Sequence, residues 1–257
     1  MSDRPTGTVT FLFTDIEGST RLWDERPDEM RIALARHDDL LRRTIVAHRG
    51  VVFKTMGDAF YAAFATADDA LAAALNAQRG LYGESWPGPI PLRVRMALHT
   101  GAAEDRDNDY FGPPLNHLAR LLSIGHGEQV LLSRATQELV RDSLPADTVL
   151  HDLGMHRLRD LTRPEHVFQL AHPDLRHEFP PLRSLDSPEL PNNLPQQVTS
   201  FVGRATELHE LKELLKKTRL LTLVGTGGAG KTRLSLQLAA DQVDSYPHGV
   251  WFVEFAP

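Results

Sequence analysis

The chain has 257 residues, 41% apolar and 24% charged, with a formal net charge of −6 and a pI of about 6.0. This is the composition of an ordinary globular protein, and its acidic balance offers no basic surface for nucleic acid or an anionic membrane. The absence of cysteine excludes disulfides, thiolate metal sites and cysteine nucleophiles. No apolar run approaches the ~18 residues that span a bilayer. The N-terminus "MSDRPTGTVTF" lacks the basic-then-apolar order of a signal peptide, so a cytoplasmic protein is expected.

In chain order, "TVTFLFT" (8–14) alternates Thr with Val9, Phe11 and Phe13 and predicts a strand. After Pro27, Met30, Leu34, Leu41 and Ile45 recur at helical spacing up to Gly50. "VVFKT" and "AFYAAF" flank Met56-Gly57-Asp58 and predict a hairpin. "TADDALAAALNAQRGLYG" predicts a helix capped by Thr66. "PLRVRMALHTG" predicts another strand, and "PLNHLARLLSIG" a short helix ended by glycine. "EQVLLS", a helix over about 134–142, and the pair "TVLHDLGMHRL" and "HVFQL" complete a mixed α/β layer. Prolines 173, 180, 181, 188, 191 and 195 then mark an extended, mobile linker. Beyond it the pattern predicts a helix near 205–217, the strand "LLTLV", a glycine loop, a helix over about 231–243 and the strand "GVWFVEF". The boundaries read as 1–172 for a first domain, 173–197 for the linker and 198–257 for a partial P-loop β-α-β unit.

Two stretches carry phosphate chemistry. "GTGGAGKT" (225–232) fits G-x-x-x-x-G-K-[ST]: Gly225 to Gly230 cradle phosphates, Lys231 pairs with the β- and γ-phosphates, and Thr232 reaches Mg²⁺. Such a domain also needs a strand-end acid and more parallel strands, and none follow, so this P-loop is expected to be vestigial. The second stretch is "FTDIEGST". Asp15 ends a strand on the parity of Val9, Phe11 and Phe13, and Gly18, Ser19 and Thr20 follow where a helix begins. Backbone N–H groups at such a turn suit phosphate. Asp58 stands at the tip of the predicted hairpin. Singly, each acid is explained by turn or cap chemistry; together, beside a phosphate-friendly turn, they suit a Mg²⁺-bound triphosphate. Glu17 beside that turn is expected to face solvent, and the twelve histidines to be surface or core residues without metal-ligand spacing.

"FLFTDIEGSTRLWDE" and "FKTMGDAFYAAF", followed in order by "DYFGPPLNHLARL" and "GMHRLRDLTRPEHVFQL", resemble the motifs of class III nucleotidyl cyclases over residues 7–171. The resemblance implies a ferredoxin-like α/β domain (α+β) with added elements. It also implies that Asp15, Asp58 and the backbone of Ile16 hold two Mg²⁺ or Mn²⁺ ions per active site. Asn116 and Arg120, four apart on one helix face, match the residues that orient the ribose and steady the α-phosphate. Arg159 stands where relatives often carry a triphosphate-binding lysine. The family reads purines at the positions of Lys54 and Asp109, and a lysine–aspartate pair is its adenylate cyclase combination. A cation and a carboxylate fit the N1 acceptor and 6-amino donor of adenine, while guanine would meet mismatched partners. Asp107 is a second candidate for the purine acid, and with it a guanylate cyclase stays open. Because the family shares each site between two subunits and all six side chains are present here, a homodimer acting on ATP is implied.

The tail from "NNLPQQVTSFVGRATELHELKELL" through the P-loop resembles the opening of STAND-type, NB-ARC-like signalling NTPases. A non-catalytic nucleotide-sensing module of a STAND-type regulator is therefore the rival reading. The complete set of site residues argues against it, since a silent domain has no physical need of all of them.

Overall fold

A computed structural model of the protein describes residues 4–88, 92–107, 109–159, 161–188, 190–195, 201, 203–246 and 248–255. Two compact units emerge, one from Met1–Met155 with Glu165–Leu182, the other from His156–Pro164 with Arg183–Pro257.

In the first unit the elements run β1 (Thr8–Ile16), α1 (Ser19–Glu25), α2 (Pro27–Ala47), β2 (Val51–Met56), β3 (Ala59–Phe64), α3 (Ala67–Tyr82) and β4 (Val94–Ala102). A small hairpin of β5 (Glu104–Arg106) and β6 (Asp109–Phe111) follows, then α4 (Pro113–Ser123), β7 (Val130–Ser133), α5 (Arg134–Val140), β8 (Val149–His156) and β9 (Glu165–Ala171). The main sheet has the order β2-β3-β1-β4-β7-β9-β8. β1 lies antiparallel between β3 and β4, while β4 and β7 run parallel. This mixed, mostly antiparallel sheet with helices packed on it is the expected α/β architecture.

Strand alternation sorts the two faces. Leu12 and Ile16 of β1, with Met96 and Leu98 of β4, join Met30, Leu41 and Ile45 of α2 and Leu71 and Leu75 of α3 in one buried core. Thr66 caps α3, its side chain accepting from Asp69 N, a device worth about 1 kcal/mol. The other face of β1 and β4 carries α4: at Gly101 an added Cβ would lie 2.7 Å from Pro114 Cγ, so only glycine lets helix and strand approach this closely. Buried hydroxyls tie the sheet to α5, with Thr10 Oγ1 2.9 Å from Thr100 Oγ1 and Thr100 Oγ1 3.0 Å from Thr136 Oγ1.

Three expectations change. The β5–β6 hairpin was absent from the sequence reading of "EDRDNDYF". The proline-rich stretch expected to be a mobile linker packs over its first part: Leu175 and Leu182 are each 5% exposed, and Gln169 Nε2 donates to His177 O at 3.0 Å. Residues 196–197 of that stretch lie outside the described residues. In the second unit, α6 (Ala205–Leu215) and α7 (Lys231–Gln242) form as expected, packed through Leu211, Leu234 and Leu238. The flanking strands of the β-α-β unit do not. "LLTLV" and "GVWFVEF" take no strand among the described residues, apart from an isolated bridge between Asn192 and Val250. Val224 is 86% and Phe255 96% exposed. A parallel strand needs neighbours that pair its backbone along its length and cover both faces, and among the described residues neither segment is paired into a sheet.

Candidate active site

The end of β1 and the β2–β3 turn bring the two acids together. Gly57, at φ 60°, makes the turn that presents Asp58, and Asp58 Oδ2 accepts from Ile16 N at 2.8 Å. Asp15 lies opposite Arg95 in the β1–β4 register, and the guanidinium grips both carboxylate oxygens, Nε to Oδ1 at 2.6 Å and Nη2 to Oδ2 at 2.5 Å. Burial pushes the Asp15 carboxyl above the usual range; Arg95 pulls it back, and the charges of Asp58 and Glu17 push it up again. Glu17 is half-buried, its Oε2 2.8 Å from where a Cβ on Gly127 would sit, and not simply solvent-facing. Gly18, at φ 71°, leads into α1, whose first residues are Ser19 and Thr20.

Arg95 is a site residue that the sequence reading missed. Its signal was available: in "LRVRMALHTG" it holds the parity of Ala97, His99 and Gly101, so a charge falls on an interior face. Among the described residues no group of three or more His, Asp or Glu side chains gathers as a metal cluster. The donor set at β1 is two carboxylates with the Ile16 carbonyl beside them. These are hard oxygen ligands whose mutual repulsion Arg95 only partly offsets, which fits a divalent cation such as Mg²⁺ or Mn²⁺.

On the same face, Lys54, Asp109 and Asn116 line a cavity of about 360 Å³ walled by Phe13, Phe53 and Tyr61. A register shift between Val52 and Lys54 re-aims β2 at this point. Lys54 Nζ meets Asp109 Oδ2 at 2.6 Å, and Asp109 Oδ1 accepts from Tyr110 N at 2.8 Å. The three-residue strand β6 is what carries Asp109, so the overlooked hairpin is the element that builds this pair. Tyr61 joins cavity and acids. Burial raises its phenol, the charges of Asp15 and Asp58 raise it further, and Lys54 lowers it. Arg120 sits one turn beyond Asn116 on α4 and is half-buried, outside the cavity wall.

The remaining sequence-predicted residues belong to the second unit. Arg159 donates from Nη2 to Asp244 Oδ2 at 2.5 Å. In the P-loop, Lys231 Nζ turns back onto the carbonyls of Gly225 and Thr226 at 2.9 and 2.8 Å. Gly230, at φ 74°, precedes α7, and Thr232 is the second residue of that helix. The loop is closed on itself, with its lysine satisfied by its own backbone.

Known proteins agree with the first unit. The model of the "Adenylate and Guanylate cyclase catalytic domain" family matches residues 1–160. An uncharacterised protein of Mycobacterium bovis is 48% identical over 206 residues, covering 79% of this chain and 70% of that protein. The adenylate cyclase of Lachancea kluyveri is 36% identical over 154 residues, which cover 50% of this chain and only 8% of that much longer protein. Among solved structures, a Trypanosoma brucei adenylate cyclase in its monomeric state superposes with a TM-score of 0.61 at 28% identity, covering 72% of this chain and 96% of that one. The fold that carries Asp15, Asp58, Lys54 and Asp109 is thus shared with cyclases, and the chain belongs to the adenylate and guanylate cyclase catalytic domain family.

Proposed function

We propose that the protein is an adenylate cyclase that converts ATP to 3′,5′-cyclic AMP and pyrophosphate in intracellular signalling. The observation that carries this reading is the Lys54–Asp109 pair in a cavity also lined by Asn116. Lys54 donates to adenine N1, and Asp109 accepts from the 6-amino group. Guanine, with a donor at N1 and an acceptor at O6, leaves both partners mismatched in that order. Phe13, Phe53 and Tyr61 supply the apolar wall for the base. Asn116 orients the ribose, so that its 3′-oxygen lies in line with the α-phosphorus and the bond to pyrophosphate breaks as the new one forms. Arg120 forks two donors onto the α-phosphate as its charge grows. Gly18, Ser19 and Thr20 offer backbone N–H groups to the triphosphate, and Arg95 offers positive charge.

Cyclases of this family are generally metal-dependent. Here Asp15, Asp58 and the Ile16 carbonyl would hold Mg²⁺ or Mn²⁺, two per site, which when bound lower the pKa of the ribose hydroxyl and neutralise the triphosphate. Arg95 holds Asp15 in place until a cation competes for its carboxylate.

The test is cyclisation by the purified protein with Mn²⁺ and either ATP or GTP, beside Asp58→Ala. Cyclic AMP from the wild type and a loss of roughly a hundredfold or more in Asp58→Ala are expected. Cyclic GTP as the main product would reassign the substrate. No product from either nucleotide would leave a nucleotide-sensing module.

A further inference from the structure

Behind the cavity, α4 rests on buried polar side chains that the cyclisation chemistry leaves unused. His117 follows Asn116 on this helix, and its ring lies flat on that of His99 in β4, centroids 4.2 Å apart and planes 4° apart. His99 Nδ1 is 2.8 Å from Ser133 Oγ at the end of β7. On its other flank, His117 Nε2 stands 2.8 Å from Glu165 Oε2 at the start of β9. The carboxylate lies off the N–H axis, so the contact is an ion pair and not a directed hydrogen bond. Glu165 Oε1 accepts from Arg134 N at 2.9 Å.

Two stacked imidazoles cannot both be charged: at an effective dielectric of ~20, unit charges ~4 Å apart repel by ~4 kcal/mol. Burial, and then the proximity of His117, push His99 down to about 4, so near neutral pH it is the uncharged member. Burial alone would raise Glu165, but the contact with His117 and the Arg134 N–H outweigh it, and its carboxyl ends below the usual range. Glu165 is therefore ionised, with its side chain only 14% exposed, and such a charge requires a partner. His117 is the side chain in place to supply it. The other groups facing α4 do not compete: β1 presents Val9, Phe11 and Phe13 with Asp15 at its end, and Asp15 is met by Arg95. From α5 comes the main-chain N–H of Arg134, and on α4 itself Arg120 lies one turn further on.

We propose that His117 is a positioning residue: its ring, clamped between Glu165 of β9 and the face of His99 in β4, fixes the seat of α4 and so aims Asn116 and Arg120. The inference rests on the cyclase reading for the roles of those two residues. A displacement of about 1 Å at a reacting group can cost up to ~100-fold in rate, and the loss falls on kcat more than on KM for ATP.

The experiment compares wild type, Glu165→Gln and His117→Gln, reading the Asn116 side-chain amide by ¹⁵N–¹H NMR alongside kcat and KM. Glu165→Gln should shift the Asn116 amide resonance and lower kcat while KM stays nearly flat. His117→Gln should lower kcat roughly tenfold. An Asn116 resonance that Glu165→Gln leaves in place, or a kcat that His117→Gln leaves unchanged, overturns the proposal. If the wild type forms no cyclic product, the cyclase reading falls and the clamp is judged by NMR alone. Glu165→Gln must then shift the Asn116 side-chain amide resonance, and no shift overturns it. Glu165→Gln also decides the matter if His117→Gln fails to fold.

Discussion

At Asp109 the two carboxylate oxygens have separate duties. Oδ1 is held by Tyr110 N at 2.8 Å, and Oδ2 faces Lys54 at 2.6 Å. Only Oδ2 is therefore free to be shared with a base, and its value to adenine lies in being an acceptor without a proton. Asp109→Asn keeps the shape but offers an amide that can rotate to donate or to accept, so the order of donor and acceptor along the base edge is no longer enforced. A hydrogen bond to a charged group is worth about 1.5–3 kcal/mol. Because the Lys54 side chain is 44% exposed, the low end applies here. The ratio of kcat/KM for ATP over GTP should fall by about tenfold in Asp109→Asn, measured by competing the two nucleotides in one reaction. An unchanged ratio would mean that the base is read elsewhere. Asp107, the other acid considered for this role, has a positive φ of 51° and belongs to the turn between β5 and β6.

Among the elements, α4 carries much of the site's proposed chemistry, and its seat on β4 is tight. It is eleven residues long, begins at Pro113 beside Gly112 with φ 133°, and touches β4 where Gly101 leaves no room for a Cβ. The ring of Pro114 is rigid, so Gly101→Ala must move the helix and not merely a side chain. Overpacking of this kind costs about 1–3 kcal/mol. The melting temperature should drop accordingly, and kcat should fall at least tenfold because Asn116 and Arg120 move with the backbone. Thermal melts and kcat on the same preparation check this; a lowered melting temperature with full kcat would show that the seat of α4 does not govern the site. The same elements explain what the sequence could reveal. β1, the β2–β3 hairpin, α3 and β4 announce themselves by periodicity, because each has one face against a core. β5 and β6 are three residues each, so alternation has too little length to register. The Asp15–Arg95 pair depends on strand register across 80 positions, which parity hints at and pairing alone decides. "LLTLV" carries a strand's composition, but a strand is made by its neighbours, and this one has none among the described residues.

For the whole molecule, the surface around the cavity bears on assembly. Met56 and Phe111 both line the cavity and yet stand 59% and 39% exposed, an apolar rim that a single copy leaves wet. A second copy laid over this face would cover the rim. It would also allow the metal acids of one chain to serve with the Lys54, Asp109, Asn116 and Arg120 of the other, giving two sites per homodimer. This arrangement is our proposal, and it makes a demand that a self-contained monomer does not. Asp58→Ala lacks a metal acid and Asn116→Ala lacks the ribose contact, so each alone should be nearly inactive. Mixed in equal amounts and allowed to exchange subunits, they should recover a substantial fraction of wild-type cyclisation, because every heterodimer pairs an intact Asp58 with an intact Asn116 in one of its sites. The wild-type rate per chain should also fall on dilution below the dimer dissociation constant, since the competent species disappears by mass action. A mixture no more active than its two components, together with a rate per chain that stays constant on dilution, would place both halves of the site in one copy. The exposed rim of Met56 and Phe111 would then need another occupant.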